Sequence, residues 1–126
     1  MGWEIRAADG LPEHLVATTW GVATTEDLER FSGDLTQHPA LRPGARAIVD
    51  HTALDVRGLT HDEIRGRAER IVDLSEHLVG ARIATVVASP AAYGIQRMIQ
   101  AYAERGARHE MAVFYSRDDA RAWLAL

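Results

Sequence analysis

The chain has 126 residues, 47% hydrophobic and 25% charged, with a formal net charge of -4, proportions that suit one globular domain over residues 1–126 and exclude disordered and fibrous classes. The acid excess excludes a general nucleic-acid binder, which needs a basic face for phosphates, and the lack of cysteine excludes disulfides, thiolate nucleophiles and Cys-ligated metal centres. With no leader-like start and no apolar run of roughly 18 residues, the sequence reads as a cytoplasmic protein that does not span a membrane.

Two short apolar-rich runs, Trp3–Ala8 (WEIRAA) and Leu15–Thr19 (LVATT), flank an Asp-Gly and Pro signal and predict an antiparallel hairpin. Thr25 is then a plausible N-cap for a helix carrying Leu28, Phe31 and Leu35 and ending near Pro39. Ala45–Asp50 (ARAIVD) suits a central strand. From Thr60 to Val79, Ile64, Ala68, Ile71, Ser75 and Leu78 share one helical face, opened by Thr60 with Glu63 as a capping box. Arg82–Ala88 reads as a buried strand, Ser89-Pro90 as the cap and first residue of a helix to about Arg105, and Glu110–Tyr115 as the last strand. Ser116 with Asp119 starts a closing helix that buries Trp123 and Leu124. The order β-β-α-β-α-β-α-β-α favours right-handed parallel crossovers after the hairpin and predicts an α/β fold with a mixed sheet and four helices. In such sheets ligands gather beyond the carboxyl ends of the strands, here near Thr24, Thr25, Asp50–Thr52, Ser89 and Ser116.

The run RIATVVASPAAYGIQRM, the later VFYSRDDARAWL and the earlier IVDHTALDVRGLT resemble the SpoIIAA-like branch of the STAS fold. Tyr93, Gly94, Arg97, Met98, Phe114, Ala120, Trp123 and Leu124 fill that family's pattern. The resemblance implies a small cytosolic domain, often dimeric, likened to lipid-carrying SEC14-type modules, with proposed roles in holding apolar ligands and at membrane surfaces. In the better-known relatives, the anti-anti-sigma factors, a serine in an Asp-Ser-x-Gly pattern is phosphorylated. This chain has LDVRGLTHDEI there, without a serine, and its nearby Thr60 already has a capping role.

Asp50, His51, Asp55 and His61 form the densest group of metal-ligand types, but no spacing among them fixes a coordination geometry, so no metal is expected. Ser89 lacks a nucleophile elbow, and no catalytic set and no cofactor are expected. Asp50, His51 and Ser89 remain as a polar cluster at the strand ends. On a helical wheel for residues 90–105, Ala91, Ile95, Met98, Ile99 and Tyr102 form the sheet-facing stripe, while Gln96, Gln100 and Glu104 point away. Gly94 lies on a flank with Met98, Ala101 and Arg105, bordered by Tyr93 and Arg97. Three partners could fill that flank: a neighbouring helix, a small apolar ligand between helices two and three, or a second copy of the chain. The ligand site expected from this comprises Tyr93, Gly94, Arg97, Met98, Tyr102, Leu74 and Leu78. The functional expectation is a non-enzymatic binding or regulatory module for a small apolar or lipid-like ligand, as a homodimer and with peripheral membrane association. A protein-interaction module without a ligand, acting as a homodimer or regulator antagonist, is the alternative.

Overall fold

The computed structural model describes residues 1–9 and 12–126, so Gly10 of the hairpin's Asp-Gly signal lies outside the described residues. The strands are β1 (Gly2–Ala7), β2 (Leu15–Val22), β3 (Arg46–Asp55), β4 (Arg82–Val86) and β5 (Glu110–Phe114). The helices are α1 (Thr25–Gln37), α2 (His61–Leu74), α3 (Pro90–Ala103) and α4 (Arg117–Leu124), and a 3-10 turn over Ser75–Leu78 continues α2. The five strands lie in the sheet in chain order. β1 pairs antiparallel with β2, from Gly2 opposite Trp20 to Ala7 opposite Leu15, and β2 to β5 are parallel.

Each crossover moves one strand in the same direction. Right-handed connections therefore put α1, α2 and α3 on one face of the sheet. That face carries Leu15, Ala17, Ala47 and Val49 against Phe31, Leu35 and Leu78. α4 covers the other face, where Ile48, Ala84 and Val86 meet Ala120 and Leu124. Arg82 fastens it: the guanidinium lies 4.2 Å from the Trp123 ring centroid, Nη1 donates to the Leu126 carbonyl at 3.1 Å, and Nε donates to Glu110 Oε2 at 3.0 Å.

Local capping chemistry positions most helix starts as the sequence predicts. Ser89 Oγ accepts from Ala92 N and Ser116 Oγ from Asp119 N, both at 3.1 Å. Thr60 and Glu63 form the reciprocal capping box, at 3.2 and 3.1 Å. α1 differs by one residue: Thr24, not Thr25, is its N-cap, accepting from Asp27 N at 3.1 Å. β3 runs past Asp50 to Asp55 because β2 itself continues to Val22 and pairs with it. The long helix expected to Val79 tightens at Ser75, whose Oγ donates to the Val72 carbonyl at 2.7 Å and accepts from Arg108 N at 3.2 Å.

The face that α3 buries is rotated from the expected stripe. Ala92, Ile99 and Ala103 are buried, whereas Ala91 and Tyr102 are exposed. Nor does Gly94 make room for another part of the chain, since a Cβ there would meet nothing within 4 Å. Gly106 does: a Cβ at that position would lie 2.8 Å from Val72 Cγ1, so the chain leaving α3 passes α2 only as glycine.

Candidate functional site

The irregular point of the sheet lies where β2 meets β3. Thr18 pairs with Asp50 and Trp20 with Ala53, so one extra residue of β3 is accommodated opposite Thr19. Such a bulge re-aims the side chains beside it. Asp50 Oδ1 accepts from Thr52 N at 2.9 Å and Thr52 Oγ1 at 2.6 Å, and Oδ2 takes two bonds from Arg117 at 3.1 and 3.2 Å. Burial pushes the Asp50 carboxyl up, but these bonds outweigh it and hold the group below its ordinary range.

His51 takes the other side of the pleat. Its ring lies 6.0 Å, edge-on, from Phe31 of α1, and Nδ1 is 2.6 Å from the buried Thr19 Oγ1. Burial, reinforced by the charge of Arg67 and opposed by Asp50, lowers its pKa from 6.5 to about 3. The imidazole is therefore neutral at physiological pH. Nε2 makes no hydrogen bond to the described residues.

His51 lines a cavity of about 100 Å³, partly open to the surface, between α1, α2, α3 and the face of β3, β4 and β5. Most of its wall is apolar, including Phe31, Leu35, Val49, Ile83, Ile99 and Val113. Polar groups are set into that wall at a few points. His109 is one, 8% exposed, with Nδ1 buried and lacking a partner among the described residues and with its pKa lowered by burial. Arg67 of α2 is another. Its Nη1 donates to Ser32 Oγ and, at 3.5 Å, to the Leu28 carbonyl, both on α1. No carboxylate of the described residues pairs with it. Burial lowers its pKa to about 10, with Glu29 opposing and Arg70 adding to the effect.

The polar cluster expected at the strand ends is not brought together. Because β3 continues, Asp50 and His51 lie within the strand and the pleat sends them to opposite faces, while Ser89 caps α3. Of the residues expected around a ligand, Leu74 and Leu78 line the cavity. Met98 packs into the apolar contact between α2 and α3, where Ile64, Ala68, Ile99 and Ala103 fill the space in which a ligand was expected. Tyr93 stacks on Tyr115 at 4.7 Å, Arg97 is exposed beside Gln100, and Tyr102 lies under Arg65 and 3.3 Å from His61 Nε2. On α3 it is Gln96 and Gln100, expected to point away, that line the cavity with Ile99. Arg67 was not singled out from the sequence, although a signal was there. It occupies the i+3 slot of the pattern Ile64, Arg67, Ala68, Ile71, a charge inside an apolar helical stripe.

No protein-family model matches the sequence, and no curated protein matches it. Among solved structures, the chain superposes on an uncharacterized protein of the DUF3478 family with a SpoIIAA-like fold from Shewanella loihica PV-4. The match has a TM-score of 0.65 at 21% identity and covers 98% of this chain and 94% of that one. The fold is SpoIIAA-like. The sheet order and the sequence of helices agree with the resemblance carried by Tyr93, Gly94, Arg97 and Met98 and by the closing Ala120, Trp123 and Leu124. In this SpoIIAA-like chain no helix of the described residues is long and apolar enough to cross a membrane, and no three His, Asp or Glu side chains among them stand together as a metal site requires.

Proposed function

We propose that this SpoIIAA-like protein is a binding module for a small, largely apolar molecule, and that the molecule lies beneath α1, α2 and α3 rather than between α2 and α3. The observation that carries this is the mainly apolar cavity of about 100 Å³. An engineered apolar cavity of roughly 150 Å³ takes up benzene, so a volume of this order suits one ring or a short branched chain rather than a full-length lipid. A binding role is favoured over a catalytic one because the hydroxyls nearest the cavity's histidine and arginine, on Thr19 and Ser32, are already engaged by them.

Toluene titrated into isotopically labelled protein tests this by NMR. Methyl shifts confined to the residues that line the cavity, Ile83, Ile99, Met111 and Val113 among them, are expected. Shifts scattered over the surface, or none at saturating toluene, would overturn the assignment.

A further inference from the structure

Resting on that reading, we infer that the ligand is a carboxylic acid, its apolar body in the cavity and its carboxylate on Arg67. Arg67 places a cation in the wall of an apolar cavity with only two neutral oxygens as partners, Ser32 Oγ and the Leu28 carbonyl. A cation set partly into an apolar wall is costly unless an opposite charge meets it. A guanidinium also presents more donors than two oxygens use, in a planar fork that fits a carboxylate.

The arrangement around Arg67 supplies a direction as well. Arg67 lines both the cavity and a second pocket over the α1–α2 contact, which is bordered by Thr25, Leu28, Glu29, Glu63 and Gly66. It therefore stands at the boundary between the apolar interior and the outside, where an amphipathic ligand places its head. The two carboxylates at the outer rim are already partnered, Glu29 by Arg70 at 3.0 Å and Glu63 by Thr25 and the capping box.

The class expected is thus a monocarboxylate with a body of about one ring or a short chain. Benzoate and its neutral isostere benzamide separate charge from shape. Isothermal titration of the unmodified protein should show benzoate binding at least tenfold more tightly than benzamide. Arg67→Met should abolish that preference. Equal affinity for benzoate and benzamide, or a preference that survives in Arg67→Met, would overturn the assignment of the head group. If toluene still binds in that case, the cavity's role as a binding site stands alone. If benzoate, benzamide and toluene all fail to bind, both readings fall together.

Discussion

Along one side, α2 meets α3 through Ile64 and Ala68 against Ile99 and Ala103, with Ile71, Val72, Ile95 and Met98 around them. Along its other side it meets α1 through hydrogen bonds: Thr25 with Glu63, Arg67 with Ser32 and Leu28, and Arg70 with Glu29. Buried apolar area is taken from water on folding and returned on opening, so the first contact is hard to part. The exposed members of the second, Thr25 with Glu63 and Arg70 with Glu29, exchange with water at little net cost, while the Arg67 bonds are part-buried, so this contact is the weaker of the two. The difference teaches that α2 is held unequally on its two sides: by apolar packing against α3, and by hydrogen bonds and ion pairs against α1.

The largest effect should come from the apolar contact. Ile99→Ala, at a 5% exposed position, should destabilise the fold by about 2–5 kcal/mol in urea unfolding. A loss under 1 kcal/mol would contradict the picture of a welded α2–α3 pair. Acid should act next, through the histidine beneath α1. The unfolded imidazole binds its proton near pH 6.5 and the folded one only near pH 3. Between those values the unfolded state holds more protons, so stability is full above pH 6.5 and falls as the pH is lowered. From pH 6.5 to 5, His51 alone should remove about 2 kcal/mol. Chemical denaturation across that range reads it, and a slope unchanged in His51→Gln would rule out this histidine as its source.

A smaller change, of opposite sign, is expected on the outer flank of α3. Gly94→Ala adds a Cβ that meets nothing and removes a flexible residue from a helix interior, so it should stabilise by about 1 kcal/mol, or raise the melting temperature by about 4 °C. A lowered melting temperature would show that something outside this chain's own contacts needs the space. The smallest effect belongs to the polar contact: Arg70→Ala should cost under about 1 kcal/mol while speeding amide exchange in α1. Were it to cost as much as Ile99→Ala, the contrast between the two sides of α2 would be lost.

The sequence by itself determined the elements whose causes are local. Ser89-Pro90, Ser116 with Asp119 and Thr60 with Glu63 start helices because a side-chain oxygen satisfies an orphan amide within three residues. The sequential parallel sheet follows from alternating strands and helices with one permitted handedness. Tyr93, Gly94, Arg97, Met98 and the closing Ala120, Trp123 and Leu124 carry the SpoIIAA-like resemblance, and the superposition supports that fold. What only the tertiary structure decided is the phase of each element against its neighbours. An extension of β3 by pairing with β2 turned Asp50 and His51 from one cluster into residues on opposite faces. A rotation of α3 exposed Tyr102 and brought Gln96 and Gln100 to the cavity, because small Ala92 and Ala103 allow the closest approach and take the buried face. Arg67 shows the limit most plainly. Its place in an apolar stripe is visible in the sequence, but whether an acid from another element meets it depends on packing, and the fold leaves that position to neutral oxygens.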